Sequence, residues 1–467
     1  MARLARAIVA AALFASGGLA CDGEIGSLSP EAGATMQPSN DASTPRADGA
    51  TQDDIDGGGV LLPDGRIEPP PIDAGCATPA SDAGPTGSIH DVYPGSSIAA
   101  ALASAAAGDV VVVHAGDYPP LEISSVEPAA RVVVTGASGE HVSVEALTLE
   151  RTAHLAIRDL TVHGRVYITL TTDLELSGLV VAPLESGGNT LSVDRSSDIT
   201  IERSRLEGGV RTIVLYTGPL PMSEWVHDVR IRDVELVRGN RCMQVIGARA
   251  VTIERMWCHD LDPSDWNVGI QLSGSDDVRI TQSRFEGPPG ARIGRGLTFG
   301  RPTDVAEGGE LLTVTHTVVA STLVHGFAEN GILLEGTSDT DIVNVTSWDN
   351  GTAERRAPGL MTDFSFGGNP GVRLWNDLLE TIAFHPSDAP PALVTHVLAL
   401  EGGSGEALIT GDPMFVDRTT YELAPSSPAI DAGITLPGTP GLDLAGRARV
   451  GAPDLGALEH GGVPVCE

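Results

Sequence analysis

The stretch Leu155-Ala156-Ile157-Arg158-Asp159-Leu160-Thr161-Val162 decides the fold, because its pattern recurs along most of the chain. It consists of a short strand of alternating apolar residues, a polar turn and a second short strand. Further copies begin at Leu174, Ile199, Val229, Val251 and Val278, which are 19, 25, 30, 22 and 27 residues apart, and a later copy begins at Ile342. Alternation with a period of two places one face inward and one face outward. A repeat of this length with uneven insertions predicts the stacked coils of a solenoid.

A third strand precedes several of these copies. It is seen in Gly269–Ser275 and Gly331–Thr337, and the stretches Arg211–Leu215 and Cys242–Gly247 align with it. Each coil therefore has three strands, and coils stacked about 4.8 Å apart predict three parallel sheets around one dry core. We expect the strands of this first sheet to begin near Arg211, Cys242, Gly269, Gly296, Gly331 and Gly371.

The two ends of this region resemble the N-terminal cap and the closing motif of one family. The entry segment comprises Val92–Leu102, Ala107–Val113 and Gly116–Tyr118, and the closing segment includes Gly411–Val416, Ser426–Gly433 and Asp454–Glu459. They resemble the right-handed parallel β-helix proteins of the pectate-lyase-like superfamily. The resemblance implies an all-β, single-stranded solenoid with an N-terminal cap helix over residues 88–460, followed by a tail at 461–467. We expect Gly433, Gly446 and Gly456 to serve turns there, and Asp431, Asp443 and Asp454 to accept backbone hydrogen bonds.

The chain is strongly acidic and has no lysine. Its 467 residues include 62 Asp and Glu against 29 Lys and Arg, all of them arginine, for a formal net charge of −33. This charge argues against a nucleic-acid partner, which needs a basic surface. The absence of lysine excludes Schiff-base, P-loop and lysine-base chemistry.

The first 20 residues have the pattern of a secretory signal peptide, in which Arg3 and Arg6 precede an apolar run and small residues. Cys21 follows Leu19-Ala20 and resembles the cysteine of the bacterial lipobox, which implies an exported lipoprotein held in a lipid bilayer by acylated Cys21. The outer membrane or cell surface is the expected location, with the periplasmic face as an alternative. The competing interpretation is ordinary cleavage, with Cys21 as a disulfide partner.

Residues 21–87 form a tether by composition. They are rich in Pro, Gly, Ala, Ser, Thr and Asp, and from Asp22 to Asp91 thirteen acidic residues face only Arg46 and Arg66. Such a stretch buries too little apolar area to offset its ordering entropy, so we expect it to be disordered. The 62 acidic residues less these thirteen leave 49 against 25 arginines, so the folded region is acidic too.

The remaining four cysteines fit an exported chain. Cys76, Cys242, Cys258 and Cys466 allow three disulfide pairings. We favour Cys242–Cys258, which are close in sequence, with Cys76–Cys466. The spacing matches no zinc pattern.

The loop Cys258–Asn267 has the densest set of functional groups. Trp266 offers a ring on which a sugar can stack, and Asp260, Asp262 and Asp265 offer hard oxygen ligands for Ca²⁺. The alternative is a solvated, Asp-rich loop held by Cys258. On the first sheet, Ile270 and Leu272 are expected to point inward and Gln271 and Ser273 outward. The residues that would contact substrate are Trp266, Arg241, Gln244, Gln271 and Glu335.

A polysaccharide lyase needs a base for the proton α to a uronate carboxylate and a cation for the enolate-like charge. Without lysine, the base is an arginine, a histidine or a tyrosine, and we select Arg292, Arg295 and His259. The leading hypothesis is a monomeric surface protein that binds an acidic polysaccharide; if it is an enzyme, it is a lyase that cleaves the polymer by β-elimination. The alternative is a non-catalytic structural or adhesive β-helix whose partner is on the cell surface.

Overall fold

The repeated stretches fold as the sides of stacked triangular coils. The computed structural model describes residues 87–184, 187–217, 220–263, 266–300, 313–351, 359–362, 368–386, 388, 390–402 and 404–465. All of these lie in one compact unit, residues 71–467. The predicted signal peptide, Cys21, Cys76, Asp265, Cys466 and all of the tether before residue 87 lie outside the described residues.

The described residues form one short α-helix and a long series of strands. In chain order the elements are β1 (Ile89–Val92), α1 (Ile98–Ser104), β2 (Val110–Val113), β3 (Gly116–Tyr118), β4 (Leu121–Ser124), β5 (Val132–Gly136), β6 (Val142–Val144), β7 (Leu147–Glu150), β8 (Ala153–Arg158), β9 (Thr161–Val162), β10 (Val166–Thr169), β11 (Thr172–Ser177), β12 (Val180–Val181), β13 (Asn189–Asp194), β14 (Ser197–Glu207), β15 (Arg211–Tyr216), a 3₁₀ turn (Met222–Glu224), β16 (Val226–Val237), β17 (Arg241–His259), β18 (Asn267–Thr281), β19 (Arg284–Glu286), β20 (Gly294–Gly300), β21 (Val314–Ala320), β22 (Leu323–His325), β23 (Ile332–Glu335), β24 (Thr337–Val343), β25 (Thr346–Trp348), β26 (Leu360–Thr362), β27 (Arg373–Ala383), β28 (Leu393–Gly402), β29 (Glu406–Thr410), β30 (Arg447–Ala448) and β31 (Val463–Pro464).

Each coil passes through three parallel sheets, here called A, B and C in their order along one coil; β1, the first strand of the chain, belongs to sheet B. Sheet A contains β4, β7, β10, β13, β15, the starts of β17 and β18, β20, β23 and β26. Sheet B runs from β1, β2, β5, β8 and β11 through the longer strands to β21, β24 and β28. Sheet C runs from β3 through β19, β22 and β25 to β29. The predicted right-handed parallel β-helix is confirmed.

The sequence repeat gives the register of sheet B. Leu155, Leu174, Ile199, Val229, Val251 and Val278 each pair with the next on the neighbouring coil. Strand β21 is a further copy of the repeat that was not predicted from the sequence. The prediction of a sheet A strand at Gly371 is wrong, because Gly371 is a corner with φ +76° and the strand after it joins sheet B at Arg373.

The corner between sheets B and C is a single residue with left-handed backbone in most coils. The φ angles are 54° at Asp159, 48° at Arg203, 54° at Asp233, 51° at Asn344 and 61° at Asn376. Side chains with a short polar group tolerate this conformation better than others. The repeated corner keeps sheets B and C in register along the helix.

Aliphatic ladders fill the core. Leu155, Leu174 and Ile199 on sheet B are at most 1% exposed, as are their neighbours on most coils. Helix α1 covers the first coil, with Ile98 and Leu102 buried, and the Ser97 side chain caps it by accepting a hydrogen bond from the Ala100 N–H at 3.1 Å. The predicted cap helix is confirmed.

The closing motif is not a further coil. Coil strands end at Thr410, and the following segment packs on the flank of the helix, where Leu323, Trp348 and Leu378 of sheet C contact its apolar residues. The Asn376 side chain exchanges two hydrogen bonds of 2.8 Å with the Ile434 backbone. The segment is thus fastened to the same corner that carries the left-handed residues.

Two of the three aspartates act as expected in this segment. Asp443 accepts from the N–H groups of Ala445, Arg447 and Glu459, and Asp454 accepts from those of Asp431 and His460. The expectation for Asp431 is wrong, because its side chain is exposed and it contributes its backbone N–H instead. No helix in the described part of the chain is long and apolar enough to span a bilayer.

Candidate functional site

A disulfide fixes the corner between sheets C and A. Cys242 begins the sheet A part of β17 and Cys258 ends its sheet C part, with Cα atoms 6.0 Å apart and both side chains fully buried. The predicted Cys242–Cys258 pair is confirmed. The loop that leads to Trp266 therefore starts from a rigid anchor.

Trp266 lies between two arginines on this corner. The guanidinium carbon of Arg241 is 4.8 Å from the centre of the Trp266 ring, and that of Arg295 is 5.7 Å away. Register explains the arrangement, since Arg241 pairs with Val268 and Val268 pairs with Arg295 on the next coil. Arg241 also donates to the Gln271 side chain at 3.3 Å. We call Trp266, Arg241, Arg295, Gln271 and Glu335 the Trp266 cluster.

Two carboxylates hold the Arg295 side chain. Its Nε atom donates to Glu329 at 2.9 Å, and its Nη1 atom is 3.8 Å from Glu335 Oε2. The Glu335 side chain is only 6% exposed. Arginine is not deprotonated in proteins, so Arg295, which is also engaged by two carboxylates, is not a base that could remove a proton.

The outward row of sheet A pairs as predicted but is largely covered. Gln244 pairs with Gln271 on the neighbouring coil, and Gln244 accepts a hydrogen bond from Arg211. However, Gln244 is 4% exposed, Gln271 3% and Ser273 1%. The expectation that this row is an open binding surface is wrong for these coils. Within the cluster, Arg241, Trp266 and Arg295 are half-buried, whereas Gln271 and Glu335 are buried.

His259 does not have the contacts of a catalytic base. Its Nε2 atom lies 2.9 Å from Glu235 and its Nδ1 atom lies 3.0 Å from Asp260, and its ring stacks on Trp257 with centroids 3.8 Å apart. Both ring nitrogens therefore face carboxylate oxygens of the protein, and neither faces an open position where a substrate could lie. Burial raises the pKa of Glu235, but hydrogen bonds from His259 and Arg205 outweigh it and lower the pKa below its usual value.

The three predicted catalytic residues do not share contacts. Arg292 is exposed and has no ion-pair partner among the described residues, Arg295 belongs to the Trp266 cluster, and His259 belongs to a row on sheet C. Burial lowers the pKa of a different histidine of this region, His325, to about 4. His325 stacks on Tyr421 of the C-terminal segment, 4.9 Å between ring centres.

The proposed Ca²⁺ ligands are only partly described. Asp260 is exposed and contacts His259, and the Asp262 backbone bonds to Gly239 and Asn267. Within the described ranges, no group of three or more His, Cys, Asp or Glu side chains is arranged to hold a metal ion. Because Asp265 falls outside those ranges, the Ca²⁺ site stays a prediction.

Two aromatic residues on the outer face of sheet A are exposed, Tyr167 by 42% and Tyr216 by 43%. The sequence alternation that aligns Gln244 with Gln271 also predicts Tyr216 as outward, whereas Tyr167 was not predicted. Both are at outward positions, since Tyr167 pairs with Ser192 and Tyr216 with Ile246. The signal was present in the alternation, because each Tyr lies beside inward apolar residues.

Solved structures share the fold. A pectate lyase, Pel9A, is 14% identical with a TM-score of 0.45, covering 80% of this chain and 96% of its own. The A-module of Azotobacter vinelandii mannuronan C-5 epimerase AlgE6 is 12% identical with a TM-score of 0.38, covering 68% and 91%. A rhamnogalacturonan lyase is 10% identical with a TM-score of 0.35, covering 72% and 95%. At these values the likeness concerns the fold alone. No family model and no curated protein matches the chain.

Proposed function

We propose that this protein is an exported lipoprotein, anchored by Cys21, whose β-helix binds an acidic polysaccharide at the Trp266 cluster. The observation that carries the proposal is the position of the half-exposed Trp266 ring between Arg241 and Arg295. An aromatic ring is a surface on which a sugar can stack, and a guanidinium group can bind a carboxylate through two parallel hydrogen bonds. The Trp266 cluster provides the aromatic ring on one loop and the two guanidinium groups on two coils.

The contacts favour binding over cleavage. Arg295 is held as a cation by Glu329 and Glu335, and both nitrogens of His259 face carboxylates. Neither group is free to take the α proton of a uronate, which β-elimination requires. Arg292 is the remaining candidate base, and an exposed guanidinium is protonated at neutral pH. The proposed role is therefore that of a non-catalytic binding or adhesive protein.

The test uses the full mature chain and a panel of polyuronates, with and without Ca²⁺. Binding is measured by affinity electrophoresis, and cleavage by the absorbance of unsaturated product. We expect binding without product, and we expect W266A to weaken binding about tenfold, since stacking and its neighbouring contacts are lost. R238A is the matched control, because Arg238 lies on the same type of corner but pairs with Glu207 at 2.9 Å. Equal binding by W266A and the wild type would refute the site.

A further inference from the structure

A turn of the C-terminal segment covers part of sheet C. The turn begins at Phe415 and ends at Leu423, which form an antiparallel bridge, and the Val416 N–H donates to the Glu422 carbonyl at 2.8 Å. The Phe415 ring meets Trp348 of sheet C edge-on, with 5.5 Å between the ring centres. We call residues 415–423 the docking turn. The apolar surface of sheet C that packs with it is at most 1% exposed and comprises Leu323, Trp348 and Leu378.

Two ion pairs lie at the edge of this interface. Arg418 of the docking turn donates to Asp349 at 2.7 Å, and the Tyr421 hydroxyl donates to the other oxygen of the same carboxylate at 2.9 Å. On sheet C, Arg284 pairs with Glu286 at 2.5 Å and donates to a backbone carbonyl of the turn at 3.1 Å. The interface therefore matches two guanidinium groups with two carboxylates.

His325 lies between these two ion pairs, beneath the docking turn. Its ring is 4.9 Å from the Tyr421 ring, centre to centre, and its side chain is 15% exposed. Its Nε2 atom is 4.0 Å from Oε1 of Glu286, which is beyond hydrogen-bond distance. Among the described residues, this buried Nε2 atom has no hydrogen-bond partner. A buried imidazole in this position is costly to charge.

The nearest carboxylates are already engaged with other groups. Glu286 accepts a hydrogen bond from Trp257 at 2.8 Å and pairs with Arg284, while Asp349 accepts from two side chains of the docking turn. A proton on the His325 ring would therefore add a buried positive charge that the existing pairs do not neutralise. Such a charge destabilises the arrangement that buries it.

The other titratable groups near this interface do not supply the missing negative charge. Burial and the neighbouring charge of Asp349 raise the pKa of Glu380, so Glu380 loses its own negative charge as pH falls. His259, two coils away on sheet C, contacts Glu235 and Asp260 instead. Acid thus removes negative charge around the docking turn at the same time as it adds positive charge.

The stability of the contact between His325 and the docking turn should depend on pH. Burial lowers the pKa of His325 from 6.5 to about 4. A histidine with a lowered folded-state pKa contributes stability that is fully present above the unfolded pKa and is lost as pH falls toward the folded one. Between pH 8 and pH 5, this linkage favours the released turn by about 30-fold.

We propose that His325 is an acid-sensitive latch whose protonation releases the docking turn from sheet C and uncovers the apolar surface beneath it. The rest of the C-terminal segment stays attached, because its contacts with the coils include hydrogen bonds that do not titrate in this range. Examples are those of Asn376 with Ile434 and of Asn344 with the Asp454 carbonyl. The latch is a property of the fold and does not depend on the proposed polysaccharide site.

Hydrogen exchange of the full mature chain, followed by mass spectrometry at pH 8 and pH 5, tests the latch. The measured quantity is the exchange rate of the docking-turn amides relative to their intrinsic rate at the same pH. An isolated hairpin of this length is marginally stable in water, so its amides exchange once the turn is released. Amides of residues 449–459, in the anchored part of the segment, are the internal reference.

Three variants are compared with the wild type. His325→Phe keeps an aromatic ring beside Tyr421 but cannot be protonated. His325→Gln is a second replacement that does not titrate, and it retains a polar group. His316→Phe is the matched control, because His316 is exposed, pairs with Asp276 at 2.7 Å and lies on sheet B.

From pH 8 to pH 5, we expect the protection of the docking turn to fall about 30-fold more in the wild type than in the two His325 variants. The His316→Phe variant should behave as the wild type does. An equal fall in the wild type and in both His325 variants would overturn the proposal. So would unchanged protection of the turn in the wild type at pH 5, or an equal fall in the reference amides, which would indicate unfolding of the whole segment.

Discussion

Arg449 and Glu459 form an ion pair beneath the surface of the C-terminal segment, with Nη1 3.1 Å from Oε2 and side chains only 6% and 1% exposed. Arg449 also donates to Ser321 at 3.2 Å, on the flank of the β-helix. Glu459 further accepts from the N–H groups of Val450 and Asp454. One buried pair thus organises the segment internally and joins it to the coils.

Removing one partner of this pair should destabilise the protein strongly. For E459A we expect a loss of about 3–5 kcal/mol in the free energy of unfolding, because Arg449 is left buried without its counter-charge. Denaturant titration measures it. R151A is the control, since the Arg151–Glu150 pair is largely exposed and should contribute less than about 1 kcal/mol. If E459A lost as little free energy of unfolding as R151A, the buried Arg449–Glu459 pair would not be the stabilising contact described above.

At Asn376, the effect of the left-handed backbone on stability can be measured separately from the effect of the side-chain hydrogen bonds. N376G loses the two side-chain hydrogen bonds to Ile434, but glycine adopts the left-handed backbone at φ 61° without strain. N376A loses the same hydrogen bonds, and alanine is in addition strained in this backbone conformation. We expect N376A to be less stable than N376G by about 1 kcal/mol. Thermal unfolding of both variants tests this, and equal stability would show that the left-handed backbone is not costly here.

The disulfide should stabilise the coils that carry the Trp266 cluster. It closes a loop with a sequence separation of 16, for which we expect about 3 kcal/mol. The double variant C242A/C258A, compared with the wild type under oxidising and reducing conditions, measures this contribution. We expect reductant to destabilise the wild type by more than it destabilises the double variant, in which the predicted Cys76–Cys466 pair is the remaining disulfide. Equal sensitivity of both to reductant would argue against a Cys242–Cys258 disulfide in solution.

The buried carboxyl group of Asp377 should make the protein less stable as pH rises, which is opposite to the effect of an ion-paired carboxylate. Its side chain is fully buried, and burial raises its pKa well above the usual value although the Val345 N–H donates to it at 2.8 Å. A carboxyl group with a raised folded-state pKa contributes stability below its unfolded pKa and loses it as pH rises through the folded value. We therefore expect D377N to be more stable than the wild type at neutral pH, with the difference shrinking toward pH 4.

The matched control for Asp377 is Asp173. Burial raises the pKa of Asp173, but hydrogen bonds from His154 and Arg131 outweigh it and lower the pKa. D173N should therefore cost stability at neutral pH and approach the wild type as pH falls through the folded pKa. Chemical unfolding over a pH series checks both variants. If the stability of D377N and D173N relative to the wild type changed with pH in the same direction, the opposite pKa shifts of Asp377 and Asp173 would be contradicted.

The sequence predicts the fold well because the fold is a local repeat. The alternation that begins at Leu155 and returns at Leu174 and Ile199 already gives the pairing of sheet B, and the short spacing of Cys242 and Cys258 gives the disulfide. Ser97, at the start of the predicted cap helix, likewise caps it. Each of these features depends on residues that are close in sequence or one coil apart.

The site is harder to predict because it depends on what covers each face. Gln271 has the alternation of an exposed residue but is 3% exposed, and nothing in its own strand indicates this. Asn376 bonds to Ile434, which is 58 residues away, so the docking of the C-terminal segment is invisible to a local pattern. Arg241 and Arg295, which are 54 residues apart in the sequence, both approach Trp266 only when the coils are stacked.

The most direct test of the central claim is a crystal structure of the full mature protein with a bound uronate oligosaccharide. The account predicts a sugar ring against Trp266 with its carboxylate on Arg241 or Arg295, and an uncleaved glycosidic chain. An oligosaccharide bound away from the Trp266 cluster would contradict it, as would an unsaturated product at the cluster.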